Sequence, residues 1–482
     1  MKERLHFVWL ISLRELRDQF RDWRILSPLI ILTVGFPFLM NYFAYGAVAF
    51  ANQYGGNLIV DRLVPFSILI IGFFPITISL LGALESFVGE KERGTIEPLL
   101  CSPLSDWQMY LGKLVVGSIM PLASSFISIM IYLVMVSRQN LNMPPPDVFA
   151  QLFLLTISHA LLMVSAAIVI SIQSTSVKAA NLMASFIIIP VAMLMMGESG
   201  LLFWANNEVL WLAVVGVLIM AGLLMRLGLA HFQREYLLGR EIDVLNLRWV
   251  WRTFWGYFKG GAESVGGWFA VSLRGTLTKL ARPLLVVLLV GLMSVWAGYE
   301  AAKVYVPQYY ASHGMEANQF EELRSQLGNS VNINDVTSTI TAPGLFAHNI
   351  QATLVIAFLG LFSFGVLGIV LYFVNISLIG FIIGLSQFVG LDPLPLLLAG
   401  VAPHGIFELS ALMISCAAVL HIGLMLVTPQ AHRTLGEVFL EALADWVKVS
   451  VAVVAPLMAI AAVIEAYITP QLLCHTLEMI CK

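Results

Sequence analysis

The sequence predicts an all-α polytopic membrane protein, with a six-helix transmembrane domain followed by a roughly five-helix membrane domain. Three observations carry that reading. Hydrophobic residues make up 59% and charged residues 11% of the chain, with a mean hydropathy of +0.87, whereas soluble domains carry about 25% charged residues. Apolar runs recur at close to the roughly 20 residues that a helix needs to cross hydrocarbon. Charge is gathered into islands between the runs, where water can solvate it. The net charge of −3 decides nothing, and without a basic groove interleaved with aromatics nucleic acid is not an expected partner.

Taken in order, residues 3–24 alternate Phe7, Trp9, Leu10, Leu13, Leu16, Phe20 and Trp23 with arginines at helical spacing. This predicts an amphipathic helix in the cytoplasmic interface. No small-residue cleavage site follows a short apolar core, so a cleaved leader is not expected. Six apolar spans follow near 27–50, 63–84, 111–136, 149–172, 179–197 and 209–228. If all six cross, the basic N-terminus, the 85–110 island, Lys178, and Arg226, Arg234, Arg240, Arg248 and Arg252 share one side. Both ends of this half are then cytoplasmic. Asp61 with Arg62, Arg138 with Asp147, and Glu198 with Glu208 are expected in the opposite loops.

The island itself, ESFVGEKERGTIEPLLCSPLS from Glu85 to Ser105, is dense in charge. Gly94 and Pro98 break any continuous helix, while Leu99, Leu100 and Leu104 supply an apolar edge. A short helix, charged on one side and apolar on the other, is a docking element, although charged loops are commonly no more than solvated. The run Glu90-Lys91-Glu92-Arg93-Gly94-Thr95-Ile96-Glu97-Pro98-Leu99-Leu100, then Ser102-Pro103-Leu104 and Leu111-Gly112-Lys113, resembles the first cytoplasmic loop of ABC-2 type transporter permeases. The RELRDQFRDWRIL segment resembles their N-terminal helix. The resemblance covers about 1–230. It implies a coupling helix at Glu90–Leu104 that receives the motion of a separate ATPase subunit, with Glu92 and Arg93 as contacts and Gly94 and Pro98 shaping the helix ends. It also implies a homo- or heterodimer. The chain has no GxxxxGK[ST]; Gly112-Lys113 is followed by Leu114, and Trp107 stands where the first glycine would be. ATP is therefore expected on the partner, with no cofactor in this chain.

Residues 231–282 form a basic linker with Trp249, Trp251, Trp255 and Trp268 and paired glycines, which suggests interfacial helices or a tether on the cytoplasmic leaflet. The second domain, 283–482, begins with a span near 283–298. An acidic extracytoplasmic segment follows at 299–345 (Glu300, Glu316, Glu321, Glu322, Asp335), then spans near 346–366, 368–390 and 394–427. A charged loop (His432, Arg433, Glu437, Glu441, Asp445, Lys448) returns to the cytoplasm. A last span near 447–468 leaves the C-terminus extracytoplasmic. Four cysteines make no disulfide framework, and Cys474 and Cys481 are too far apart to bridge on one helix.

His348, Asn349, His404, Glu408 and Glu465 stand out as polar groups in apolar surroundings, with Asn375 as a further interhelical link. Pro403 suits a first helical position, so the tenth span is expected to start there, after a re-entrant or interfacial LDPLPLLLAGVA. Three helices then bring these ionisable groups to one depth. Because buried ionisable groups cost several kcal/mol unless paired, they are expected to converge. A hydrogen-bonded network that locks the bundle asks least; a hydrated ligand or proton site and a three-ligand metal site on His404, Glu408 and Glu465 are alternatives. AHNIQATLVIAFLG (347–360), YFVNISLIG (372–380), GVAPHGIFELSAL (400–412) and VIEAYITP (463–470) resemble, in that order, the stage II sporulation protein M family. Ile376 stands where that family shows a glycine. The likeness covers roughly 280–470 and implies an envelope context, with peptidoglycan hydrolases as further partners.

The expected function is a permease subunit in a prokaryotic plasma membrane, not itself an enzyme, that couples ATP hydrolysis by its partner to movement of an unknown substrate. The alternative is an envelope scaffold that transmits force and carries nothing. A polar path along the second and fifth spans would mark a transporter. The second span, VPFSILIIGFFPITISLLGAL, is so apolar that it fits a lipid-like substrate or none. A third reading, an intramembrane metalloenzyme on His404, Glu408 and Glu465, requires stoichiometric metal.

Overall fold

The computed structural model describes residues 2–54, 57–102, 104–139, 143–204, 207–230, 232, 246–312, 341–388, 390–428, 430 and 433–477. Among these, 11 helices are long and apolar enough to cross a membrane, and no strand occurs. Two compact units divide the chain, Met1–Leu245 with Val427–Pro429, and Asn246–Leu426 with Gln430–Lys482.

In the first unit, α1 (Lys2–Gln19) precedes α2 (Trp23–Tyr54), α3 (Asn57–Glu92), the five-residue α4 (Ile96–Leu100), α5 (Asp106–Arg138), α6 (Pro146–Gln173), α7 (Val177–Trp204) and α8 (Leu210–Ala230). The central helix is α3, which packs on α2, α5, α6 and α7. Its Ile68, Ile71, Ile76, Leu80, Leu84 and Phe87 are almost wholly buried with Tyr110 and Tyr132 of α5. α2 instead leaves Ile31, Phe38, Tyr42 and Phe43 exposed, an apolar face that water would penalise and lipid does not.

Helices outrun the apolar spans. α3 continues through Glu85, Glu90 and Lys91 to Glu92, so most of the island's charge is helical. It ends at Gly94, whose φ of 67° only glycine adopts without strain. The Gly94 amide donates to the Lys91 carbonyl and the Thr95 amide to that of Glu90, at 3.2 and 3.0 Å, a Schellman stop. Pro98 lies within the first turn of α4, where no intrahelical donor is lost. Arg62 and Glu198, expected in loops, lie inside α3 and α7, and Glu198 is buried.

The second unit contains α9 (Leu247–Lys259), α10 (Val265–Lys279, with a π turn at Trp268–Leu273), α11 (Ala281–Ser312), α12 (Ala342–Phe362), α13 (Val366–Phe388), α14 (Pro393–Val427), α15 (Leu435–Tyr467) and α16 (Thr469–Leu477). Its core joins Val287, Ile356, Tyr372, Ile376, Ala417 and Met458. α11 and α13 approach backbone to backbone. A methyl added at Gly298 would run into the Ser377 carbonyl, and one at Gly380 into the Val295 carbonyl. Close approach therefore falls at Gly380, while Ile376 serves as buried packing.

Pro403 does not open the tenth helix. Asp392 caps α14, its carboxylate accepting from the Leu394 amide, and Pro393 occupies the first turn. Pro403 then sits inside a continuous helix, immediately after a π turn at Leu397–Val401 that relieves its missing donor and its ring clash. Pro456 in α15 follows a π turn at Ser450–Val454 in the same way. α15 also absorbs Glu437, Glu441, Asp445 and Lys448, which the sequence placed in a loop. Residues 313–340, with Glu316, Glu321, Glu322 and Asp335, lie outside the described residues, as do Arg234, Arg240, His432, Cys481 and the side chain of Leu99.

Candidate functional site

In the first unit the island is a braced knob. Lys91 Nζ donates to the carbonyls of Ile172 and Ser174 at 2.7 and 3.0 Å, a cation at the C-terminal end of α6. Glu92 Oε1 accepts from the Val177 amide at 2.7 Å and caps the start of α7. The amides of Phe87 and Val88 donate to Ser171 Oγ at 2.9 and 3.0 Å. Within α4, Ile96 and Leu100 are buried one turn apart, whereas Glu97 and Pro98 on it and Arg93 and Gly94 in the turn before it are exposed.

The base of this knob is a lysine that sequence reasoning did not single out as a site. Lys113, its side chain 1% exposed, donates to Glu15 Oε1 of α1 and to Glu90 Oε1 of α3, each at 3.0 Å. Its third proton goes to the Ser86 carbonyl at 2.6 Å, and the ammonium lies 4.8 Å from the centre of the Phe87 ring. Ser12 Oγ donates to the Gly112 carbonyl at 3.2 Å beside it. The N-terminal helix and the island thus share one buried cation. The available signal was a lysine at the start of an apolar span, which burial has to pair.

Deeper in the unit, His159 Nε2 of α6 lies 3.4 Å from Glu198 Oε1 of α7, with both side chains at least 97% buried. His159 Nδ1 faces the Leu155 carbonyl at 2.9 Å, and the ring stands edge-on to Phe73.

In the second unit, α9, α10 and α15 form a charged clamp. Asp445 Oδ1 accepts from Thr276 Oγ1 and Lys448 Nζ, each at 2.7 Å, and Oδ2 from Lys279 Nζ at 2.9 Å. Glu441 holds Lys279 at 2.8 Å and Arg433 at 2.6 Å, and Arg433 reaches Tyr257 Oη at 3.0 Å. Burial opposes the charge of Lys279, but its hydrogen bonds to Glu441 and Asp445 outweigh that and raise its pKa. Arg433 is likewise raised, with burial outweighed by Glu441 and Tyr257.

Of the expected polar cluster, His404, Glu408 and Glu465 come together, with donor atoms within 4.8 Å of one another. His404 Nδ1 lies 3.1 Å from Thr469 Oγ1. Asn349 is buried in α12. His348 and Asn375 are exposed and line a groove of about 270 Å³ with Gln351, Ala352, Val355, Ile356 and Leu371.

Residues 6–197 match the family model described as ABC-2 type transporter, and residues 284–470 the one described as Stage II sporulation protein M. The chain is also 34% identical, over 108 residues that make up 22% of its length, to an uncharacterized protein of Methanocaldococcus jannaschii. It spans 60% of the length of that curated relative. Both resemblances read from the sequence thus hold, in the order expected.

Proposed function

We propose that this multi-pass membrane protein, an ABC-2 type domain joined to a stage II sporulation protein M domain, is a permease subunit moved by a separate ATPase. The observation that carries the reading is the knob: Arg93 is exposed in the turn after α3, Glu97 and Pro98 are exposed on the short α4, and Lys91 and Glu92 tie the end of α3 to α6 and α7. A force applied there reaches the membrane helices without being spent on bending a loop. Glu92 is a strut in this arrangement, so Arg93 and Glu97 become the contact residues. Co-purification from native membranes with an ATP-hydrolysing subunit, and loss of ATPase stimulation in Arg93→Ala/Glu97→Ala with the fold retained, is the expected result. Full stimulation in that variant would remove the assignment.

The cargo is lipid-like, or there is none and the stroke is passed to envelope remodelling. Among the described residues, the exposed large apolar side chains of α3 include Phe74 and Leu81, and those of α7 include Leu182, Met183, Ile189, Met193 and Met196. A bulk hydrophilic substrate would need polar groups on those faces. Reconstituted vesicles separate the two outcomes: ATP-driven transfer of a labelled lipid supports transport, and its absence with ATPase stimulation intact supports force transmission.

A further inference from the structure

His404 and Glu408 stand one turn apart on α14, and Glu465 comes from the last turn of α15. We propose that these three side chains form a divalent metal site, suited to Zn²⁺, that clamps the middle of α14 to the last turn of α15. One imidazole and two carboxylates are a donor set for a borderline cation, and three protein ligands leave a fourth position to water.

Three further observations support a metal over a plain polar lock. His404 Nδ1 is engaged with Thr469 Oγ1, the outer hydrogen bond that fixes the ring of a metal-binding histidine and leaves Nε2 for the ion. Glu465 and Thr469 are themselves one turn apart, so a single helical junction supplies both a ligand and the group that orients another. The charges also need a counter-ion. No ion pair joins Glu408 or Glu465 to a lysine or arginine among the described residues. A dication satisfies both carboxylates at once.

The geometry asks for a small closure. Donor atoms within 4.8 Å of one another must approach to roughly 3.3 Å to share bonds of about 2.0–2.2 Å. The proposed closure is a rotation of the two glutamate side chains. The π turn at Leu397–Val401 lies just ahead of His404, and such turns recur at functional sites because they re-aim the residues that follow. Along α15 the site is about 30 Å from Asp445 at 1.5 Å per residue, so it belongs to the membrane face opposite the charged clamp.

The test uses the full chain in lipid nanodiscs, stripped with EDTA, equilibrated with ZnCl₂ and desalted. Bound zinc is measured by mass spectrometry and affinity by competition with a chromophoric chelator. The wild type is expected to retain one equivalent more than Glu465→Gln, and zinc to raise the melting temperature of the wild type alone. Thr469→Val, which keeps all three ligands, is expected to bind about tenfold more weakly; this milder variant serves if Glu465→Gln fails to fold. Equal zinc in the wild type and Glu465→Gln overturns the proposal. So does a wild type that takes up no zinc while Glu465→Gln melts higher than it, the signature of two carboxyls sharing a proton.

Discussion

Lys113 Nζ and Glu90 Oε1 lie 3.0 Å apart where the start of α5 meets the end of α3, and the lysine side chain is 1% exposed. Glu15 occupies the other side of the same ammonium. Removing the cation leaves two carboxylates facing one another in a site with little water. Lys113→Met is therefore expected to cost about 3 kcal/mol or more. Adding Glu90→Gln to Lys113→Met should recover part of that loss, because one of the stranded charges is gone. Thermal unfolding in nanodiscs of the single and double variants reads the difference; equal melting of wild type and Lys113→Met would refute it.

Glu198 and His159 call for the opposite expectation. Both carboxylate oxygens of Glu198 lack a hydrogen-bond partner among the described residues, as does His159 Nε2. A neutral amide of the same shape keeps a group beside the imidazole without a buried charge. Glu198→Gln should melt within about 2 °C of the wild type or above it, whereas Glu198→Lys should fail to fold. A Glu198→Gln protein that loses several degrees would show that the ionised carboxylate is itself holding the helices.

Gly298 and Gly380 test the seam of α11 and α13. Each faces a carbonyl of the other helix at a distance no Cβ tolerates, so relief requires helix displacement and not a rotamer change. Gly380→Val should cost about 3 kcal/mol or more, the upper part of the range for overpacking. Gly275→Ala, on α10 with open space around it, is the control and should be neutral or slightly stabilising. Protease resistance of the second unit reports both.

The membrane class, the alternation of apolar runs and charged islands, and the trio His404, Glu408 and Glu465 could all be read from the sequence. Each depends on a rule that local composition obeys: charge avoids hydrocarbon, and isolated ionisable groups converge. What escaped reading depends on partners distant in sequence. Lys113 looked like the tail of a loop motif because its two carboxylates sit 98 and 23 residues away. Glu198 looked like a loop residue because hydropathy stops before α7 does. Pro403 looked like a helix start because a π turn, which carries no compositional mark, lets a proline sit inside a helix. The bond from the Val177 amide to Glu92 Oε1 spans 85 residues, which no local pattern announces.

Asp445 receives three hydrogen bonds, from Thr276, Lys279 and Lys448. Lys448 is 6% exposed and pairs with no other carboxylate among the described residues, whereas Lys279 is 42% exposed and also holds Glu441. Loss of the negative charge therefore leaves Lys448 with neutral acceptors, Thr276 Oγ1 at 3.2 Å among them, and barely affects Lys279. Asp445→Asn should cost about 3 kcal/mol. Lys279→Met should cost under about 1 kcal/mol, since solvent screens a half-exposed pair. The pH dependence has a fixed sign. Lys279 is raised above its ordinary value of 10.5, so its contribution is complete below that pH and disappears as pH climbs through the raised value. Unfolding followed from pH 8 to 11.5 should show an alkaline decline that is shallower in Lys279→Met. An identical slope in the two proteins would mean that the clamp draws nothing from Lys279.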